Sequence, residues 1–206
     1  MTLRLLGVAL GSAALTLAAC STLHGAAPTG EEDETTWHVR QTQLAALADW
    51  DLSGRVGFVN GKDSGSGSLD WQQQAGISIL DFHGPLGAGA VHIEGDASAL
   101  HVKTSRGDDF ITTDPETDLG ERLHQPLPVL SLRYWILGIP DPGADFVKVS
   151  DAAGELKSLD QLGWHVEYQE YAGVSGYSLP VRLTLQRGEV RIKVAVSDWT
   201  LPAHGS

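Results

Sequence analysis

Apolar residues recur with a period of two along most of this chain, and that pattern predicts strands. Between Trp50 and Phe58, apolar side chains at positions 50, 52, 56 and 58 share one face, as in a half-buried strand. Turns rich in Gly and Asp separate this segment from others with similar spacing. The predicted strands are residues 50–58, 68–73, 76–82, 90–94, 99–103, 109–112, 146–149, 164–168, 181–186 and 190–199. The first six predict an antiparallel meander.

Helical spacing predicts two helices between the sixth and seventh strands. Asp114 and Pro115 suit a helix N-terminus, and Pro126 ends that helix. A second helix over 127–137 ends at a stretch rich in Gly and Pro, and its apolar residues cover more than one packed face. That excess suits a helix packed tightly on a sheet, the commoner case, or a helix that covers an apolar hollow. Strands, helices and strands in this order predict an α+β fold.

A further helix is predicted before the first strand, after a polar stretch. Thr36 suits the N-cap of a helix over 37–48, in which Trp37 and Leu44 fall at helical spacing. Residues 21–36 have no apolar periodicity and include the acidic run 31–34, so they predict a flexible tether.

The N-terminus predicts export rather than a membrane span. Arg4 is followed by an apolar run from Leu5 to Ala18, which is shorter than the roughly 20 residues that a spanning helix needs. A short basic start, an apolar run and small residues are typical of a secretory signal. Cys20 is the single cysteine, so no intramolecular disulfide can form. The alternative interpretation is a plain signal peptide with a chance cysteine.

The sequence Leu17-Ala18-Ala19-Cys20 resembles the lipobox of bacterial lipoproteins. The resemblance implies that residues 1–19 are a signal peptide, that Cys20 is acylated, and that residues 20–36 are the acylated cysteine with its tether. Two or three acyl chains anchor a protein stably, whereas one binds marginally. In enterobacterial lipoproteins, Asp at the position directly after the acylated cysteine resembles a signal for retention in the inner membrane. This chain has Ser21 at that position, which points to the outer membrane.

Charge and motifs argue against nucleic-acid binding and against catalysis. The chain has 14 basic and 26 acidic residues; without Arg4 of the signal, 13 − 26 gives a net charge of −13. No basic patch for nucleic acid is therefore expected. No nucleophile elbow, Walker loop or dinucleotide fingerprint is present. His92, Glu94 and His101 suit a metal site, but the simpler interpretation is that they lie on solvated strand faces. We therefore expect no metal and no cofactor, and we expect that the protein is not an enzyme.

Two glycine-rich segments are predicted as turns. Residues 61–67 alternate Gly with Ser and Asp, which is typical of a turn. Residues 84–89 contain Pro85, Leu86 and Gly87, and Leu86 is a large apolar side chain with few local contacts in such a turn. It either folds back onto a strand or projects into a bilayer or an apolar partner.

An ordered set of motifs resembles the LolB family of outer-membrane lipoprotein receptors, from the lipobox to Trp199. No single motif is specific for this family, but the complete set in this order along the chain is specific. The motifs are Trp50-x-x-x-Gly54-Arg55, Leu69-Asp70-Trp71-Gln72, Gly84-Pro85-Leu86-Gly87, the run from Leu132 to Pro140, Gly163-Trp164-x-Val166-x-Tyr168, Leu179-Pro180-x-Arg182-Leu183-x-Leu185 and Ile192-Lys193-x-x-Val196-x-x-Trp199.

The resemblance implies an incomplete antiparallel β-barrel, or half-barrel, with a helical lid over an apolar cavity. It implies a monomeric domain over 37–201, with a tail at 202–206, that is lipid-anchored to the outer membrane and faces the periplasm. Its implied partners are a LolA-like periplasmic carrier, acylated lipoproteins as cargo and the outer-membrane bilayer. Alternatives of other classes are a structural lipoprotein that scaffolds an envelope assembly and, less favoured, an envelope hydrolase.

The resemblance also assigns site residues. The loop Pro85, Leu86 and Gly87 matches the family's protruding loop, which implies a Leu86 that enters the membrane. With strand alternation, the cavity is expected to be lined from both the sheet and the lid. The expected acyl-chain residues are Leu52, Val56, Phe58, Leu69, Trp71, Leu130, Trp135, Ile136, Trp164 and Val166. A one-residue shift in any strand would turn its residues to the other face.

Overall fold

One antiparallel sheet of eleven strands dominates the computed structural model, which describes residues 30–85, 89–123 and 127–202. The helices are α1 Gly30–Ala45, α2 Pro115–Leu123 and α3 Val129–Trp135. The strands are β1 Trp50–Asn60, β2 Asp63–Gln74, β3 Ile77–His83, β4 Val91–Gly95, β5 Leu100–Thr104, β6 Asp109–Thr112, β7 Phe146–Ser150, β8 Leu156–Gln161, β9 Trp164–Val174, β10 Tyr177–Arg187 and β11 Val190–Thr200.

The strand order shows how the two halves of the chain join. Strands β1 to β6 lie side by side in sequence order, as do β7 to β11, and the pairing of β1 with β11 joins the two meanders. The chain leaves the sheet after β6, forms α2 and α3, and re-enters at the opposite edge as β7. In the described sheet, β6 and β7 each have one neighbour, so it is not closed. The predicted α+β fold with an incomplete antiparallel barrel is confirmed.

Several elements differ from the sequence-based expectation. The helix α1 begins at Gly30, so it includes part of the segment predicted as a tether. The strand β8 was not predicted, because residues 156–161 do not alternate cleanly. The predicted turn over 61–67 is wrong, because β2 already begins at Asp63 and pairs with β1 from Asn60 onward.

Two inward-facing glycines explain why a turn-like composition forms a strand. Gly65 and Gly67 lie on the same face of β2 as Leu69 and Trp71. A Cβ atom on Gly65 would lie 2.6 Å from the Phe58 ring, and one on Gly67 would lie 2.2 Å from the His83 carbonyl oxygen and 2.7 Å from the Phe82 ring. The glycines therefore leave room for two phenyl rings against the sheet, which is a known reason for Gly within a strand.

A continuous row of apolar side chains crosses the inner face of the sheet, the face toward α3. Each residue of the row is the cross-strand partner of the next, so the row is contiguous. Its members are Val102, Ile93, Leu80, Trp71, Leu52 and Trp199, all buried. At one end the Trp50 ring lies 5.1 Å from Trp71 and 5.5 Å from Trp199, measured between ring centroids.

The helix α1 is fixed to the β7–β10 half of the sheet. Its Trp37 and Leu44 are buried, at 0% and 1% exposure. The Arg40 guanidinium donates to the Ser178 carbonyl oxygen at 2.6 Å. Lys148 of β7 donates to Glu34 at 2.9 Å and lies 4.9 Å from the centre of the Trp37 ring, so helix and strand are also joined by charge.

The helices α2 and α3 cover β8 and β9. The Trp164 indole donates to the Glu116 carboxylate of α2 at 3.3 Å, and Arg187 forms an ion pair with the same carboxylate. In α3, the Trp135 backbone carbonyl accepts from the Tyr168 hydroxyl at 3.0 Å. Together these contacts hold α2 and α3 against one half of the sheet.

Candidate functional site: an apolar pocket

An apolar cavity of about 680 Å³ lies between the inner face of β1 to β5 and helix α3. That volume lies within the range of about 300–1,000 Å³ that is usual for small-ligand sites. The buried part of its wall comes from β2, β3, β4, β11 and the helical segment. Those residues are Leu69, Trp71, Leu80, Ile93, Val129, Leu132, Ile136, Ile192 and Val194.

The pocket opens at one end of the sheet. The lining residues there are exposed or half-buried and come from the start of β2, the loop between β3 and β4, and the β5–β6 turn. The register places the β3–β4 loop beside the β5–β6 turn, because Phe82 pairs with Val91 and Val91 pairs with Thr104. The mouth is lined by Asp63, Ser64, Ser66, Gly84, Pro85, Gly89, Ala90, Ser105 and Arg106.

Half of the predicted acyl-chain residues line this pocket. Val56 and Phe58 of β1, Leu69 and Trp71 of β2, and Ile136 after α3 all contribute to its wall. Strand alternation therefore places the correct face of β1 and β2 toward the cavity. The role of these residues toward an acyl chain stays a prediction.

Trp164 and Val166 face inward on β9 but do not line the pocket. The Trp164 ring contacts Glu116 and lies 4.6 Å from the Arg187 guanidinium carbon, so α2 and the end of β10 cover it. Val166 is completely buried. Alternation identifies the inward face of a strand but not what lies over it, and here the helices occupy that space.

Trp135 is also turned away from the cavity. Its indole donates to the Gln161 side-chain oxygen at 2.8 Å, which points the ring toward β8. The Gln161 amide is buried and also accepts from the Asp141 backbone N–H at 2.8 Å, while its nitrogen donates to the carbonyl oxygens of Asp141 and Ala144 at 2.7 and 2.8 Å. All of these contacts tie α3 and the following turn to the sheet.

Leu52 and Leu130 are the two other predicted residues outside the wall. Leu52 is buried in the cross-strand row beside Trp71 and Trp199. Leu130 is half-buried on α3. The helical segment presents Val129, Leu132 and Ile136 to the pocket, a spacing of three and four residues, and Leu130 lies outside this stripe.

Sequence reasoning missed several wall residues that alternation could have found. Leu80 and Phe82 alternate on β3, Val91 and Ile93 on β4, and Ile192 and Val194 on β11. All six line the pocket.

The predicted membrane loop and the lipid anchor lie outside the described residues. This applies to Leu86 and Gly87 of the loop and to Cys20 with its signal. Pro85 and Gly89, which flank positions 86–88, both line the mouth of the pocket. In the described part of the chain, no helix has the length and apolarity to cross a membrane.

The histidines weighed as metal ligands lie beside carboxylates, and His92 Nε2 is 3.7 Å from the Glu94 carboxylate that was weighed with it. His92 Nδ1 lies 2.8 Å from an Asp81 carboxylate oxygen, and His101 Nε2 lies 2.5 Å from one of Asp109. The hydrogen bond from His101 lowers the pKa of Asp109. Among residues 30–85, 89–123 and 127–202, no three His, Cys, Asp or Glu side chains are grouped to hold a metal ion.

The fold and the pocket together place the chain in a class of proteins in which an open antiparallel sheet and a helical lid enclose a pocket suited to an apolar ligand. Residues 48–199 match the family described as outer membrane lipoprotein LolB, and the chain belongs to this family. The predicted family membership is confirmed.

Two relatives show how far the similarity extends. The chain is 37% identical over 193 residues to the outer-membrane lipoprotein LolB of Alkalilimnicola ehrlichii, covering 93% of this chain and 94% of the relative. It is 36% identical over 199 residues to that of Pseudomonas aeruginosa, covering 97% of each. A crystal structure of a DUF1329 family protein from Desulfovibrio piger shares the fold, with a TM-score of 0.56, 8% identity, and coverage of 87% of this chain and 95% of that one.

Proposed function

We propose that this protein is an outer-membrane receptor that accepts acylated lipoproteins from a LolA-like periplasmic carrier and inserts them into the outer membrane. The observation that carries the proposal is the half-open apolar pocket of about 680 Å³. Membership of the LolB family supports the same function. A filled interior would instead favour a purely structural lipoprotein.

The physical task of such a receptor is to shield acyl chains from water. Each buried CH₂ group contributes about 0.8 kcal/mol, so a lipoprotein with several chains leaves a membrane or carrier extremely slowly unless an apolar site receives it. The pocket supplies such a site, and its open end supplies an exit. Directional transfer without a nucleotide then requires that the receptor bind more tightly than the carrier, and that the bilayer be a still better sink.

We propose that the lipid anchor on Cys20 places the domain, as a monomer, at the membrane that receives the cargo. The anchor raises the local concentration of the receptor at the outer membrane. The transfer forms and breaks no covalent bond, so it needs no catalytic group and no cofactor.

The direct test is transfer of a triacylated lipoprotein from the carrier to the domain lacking residues 1–19, with and without an obstructed pocket. Val56 is half-buried and lines the pocket, so Val56→Trp would place an indole in the cavity. We expect this variant to accept at least tenfold less cargo while keeping its fold. The matched control is Val59→Trp on the outer face of the same strand, where Val59 is 43% exposed. Equal transfer by Val56→Trp and the parent would contradict the proposal.

The delivery step has its own test in the loop Pro85, Leu86 and Gly87. We propose that Leu86 enters the bilayer, because the flanking residues lie at the pocket mouth. We expect Leu86→Glu to bind lipoprotein normally and to deliver it poorly to liposomes, since a carboxylate resists burial in lipid. The control is Ile111→Glu on β6, where Ile111 is 72% exposed. Normal delivery by Leu86→Glu would show that this loop does not act at the membrane.

A further inference from the structure

In the described part of the pocket wall, charged side chains lie at the mouth. Of the lining residues in the described ranges, Asp63 and Arg106 are the charged ones, and both are exposed. The opposite end of the cavity is formed by buried apolar side chains such as Trp71, Leu80 and Ile136. The pocket is therefore polarised, with an apolar floor and a charged rim.

The backbone on which Arg106 sits is held firmly at that rim. The Thr104 hydroxyl donates to the Asp108 carboxylate at 2.7 Å and accepts from the backbone N–H groups of Arg106 and Asp108, both at 3.2 Å. The Ser105 N–H donates to the Ala90 carbonyl oxygen at 2.9 Å, and the Ala90 N–H donates to the Ser105 hydroxyl at 3.1 Å. The β5–β6 turn is thus braced internally and tied to the β3–β4 loop.

The Arg106 side chain itself is uncommitted. Within the described parts of the chain, Arg106 bonds through its backbone N–H and its guanidinium has no hydrogen-bond or ion-pair partner, so its five N–H donors are available. By contrast, Arg187, Arg40 and Arg182 are engaged by a carboxylate or a carbonyl oxygen.

We propose that Arg106 and Asp63 form a head-group subsite, which binds the polar acylated cysteine and first peptide groups of the cargo while the acyl chains occupy the apolar floor. This inference rests on the proposed function and adds the orientation of the cargo. Arg106 donates to the acyl and peptide carbonyl oxygens, and Asp63 accepts from peptide N–H groups.

The chemistry of the cargo matches this orientation. An acylated cysteine presents several ester and amide carbonyl oxygens and few N–H groups, so a donor-rich guanidinium complements it. The reverse orientation would bury those acceptors at the floor, where the Trp71 indole N–H is the one buried donor without a partner among the described lining residues. Burying unpaired acceptors is costly, so the reverse orientation is disfavoured.

The same pair of charges argues for a peptide rather than for a lipid phosphate. A peptide carries donors and acceptors and can use both Arg106 and Asp63. A phosphate offers acceptors alone and would be repelled by the Asp63 carboxylate at the same mouth.

The test compares two ligands on the mature domain lacking residues 1–19. One is a triacylated cysteinyl peptide without charged side chains, and the other is an uncharged apolar dye that fills the pocket without a head group. We expect Arg106→Gln to bind the triacylated peptide about tenfold more weakly, the effect of losing one charge-assisted hydrogen bond. Its dye affinity and unfolding midpoint should equal those of the parent, and Arg106→Lys should restore part of the loss.

The matched control is Lys103→Gln, which removes a positive charge from an exposed residue of β5 whose neighbour Val102 is buried on the inner face. It should bind both ligands normally. Equal peptide affinity for Arg106→Gln and the parent would overturn the subsite while leaving the receptor function intact. A third arm measures binding of the domain to vesicles that contain phosphatidylglycerol and no peptide. If Arg106→Gln weakens only this vesicle binding, the subsite is overturned and Arg106 is assigned to the bilayer. If the parent fails to bind the triacylated peptide, the proposed function fails as well.

Discussion

Individual glycines shape the wall of the pocket. Gly65 and Gly67 stand at inward positions of β2, where any side chain would collide with Phe58, with Phe82 or with the backbone of β3. Their absence of a Cβ lets both rings lie on the sheet beside the cavity, and Phe58 and Phe82 form part of its lining. The Ser-Gly repeat predicted as a turn is therefore a local adaptation of a strand to its aromatic neighbours.

This interpretation predicts that Gly67→Ala destabilises the protein. The new Cβ would lie 2.2 Å from the His83 carbonyl oxygen, and a backbone atom in a paired strand moves only at a cost. We expect the free energy of unfolding to fall by about 1–3 kcal/mol, as in other overpacked sites. Urea unfolding followed by circular dichroism would measure the change.

The control for that measurement is Gly173→Ala on β9. Apart from its chain neighbours, no described residue has a heavy atom within 4 Å of a Cβ built at Gly173, so this substitution should leave the stability nearly unchanged. Similar unfolding midpoints for the two variants would contradict the steric explanation.

At the scale of secondary-structure elements, the position of α3 decides the shape of the site. The helix is short, with seven residues, and at its C-terminal end it is held mainly through Trp135 to Gln161 of β8. That anchor turns the Trp135 ring toward β8, while the neighbouring stripe of Val129, Leu132 and Ile136 faces the pocket. The Ser131 hydroxyl adds a second tie by donating to the Asp141 carboxylate at 2.7 Å.

The anchoring role predicts a large effect of Gln161→Leu. The substitution leaves four groups without their partner, namely the Trp135 indole N–H, the Asp141 N–H and the carbonyl oxygens of Asp141 and Ala144. Since unpaired buried polar groups are costly, we expect the free energy of unfolding to fall by about 2–4 kcal/mol. Denaturant unfolding would measure this loss, and hydrogen exchange would show faster opening of α3.

The comparison variant is Gln72→Leu on β2, because Gln72 is exposed on the outer face. It should change the stability little. If Gln161→Leu were as stable as the parent, the amide of Gln161 would not be what fixes the helix.

At the scale of the whole molecule, burial couples folding to pH. The Tyr168 and Tyr171 rings lie 6.0 Å apart in the β9 segment, and each hydroxyl donates to a backbone carbonyl oxygen, of Trp135 at 3.0 Å and of Leu156 at 2.8 Å. Burial raises the pKa of both side chains above the ordinary value of 10.0, and the positive charge of Arg40 lowers it by less than burial raises it. Both phenols are therefore neutral in the folded protein where free tyrosine has begun to ionise.

The shifted tyrosines predict loss of stability in alkali. A raised pKa in the folded state means that the unfolded chain loses its protons first, so the stabilisation is complete below pH 10 and declines as the pH rises above it. Each such group contributes a slope of about 1.4 kcal/mol per pH unit in that range. Urea midpoints measured between pH 8 and pH 11 should fall above pH 10, and Tyr171→Phe should show a shallower decline. A midpoint independent of pH over this range would contradict the prediction.

The particular errors of sequence reasoning have a common physical origin. Alternation placed Val56, Leu69 and Trp71 correctly, because the side-chain period of a strand is a local property. It misplaced Trp164 and Val166, which face the same side of the sheet but lie under helices. It also missed β8 and the early start of β2, because these depend on pairing with neighbouring strands.

The sequence by itself determined the class of fold, the inward face of most strands and the family, since all of these follow from local spacing and from motifs in a fixed order. Tertiary structure alone decided how the inward side chains divide between packed core and open pocket. That division depends on where α2 and α3 rest, which the contacts of Trp164 with Glu116 and of Trp135 with Gln161 determine. Tertiary structure also decided that Arg106, an ordinary turn residue in the sequence, lies at the mouth of the pocket. The sheet register brings the β5–β6 turn to that end.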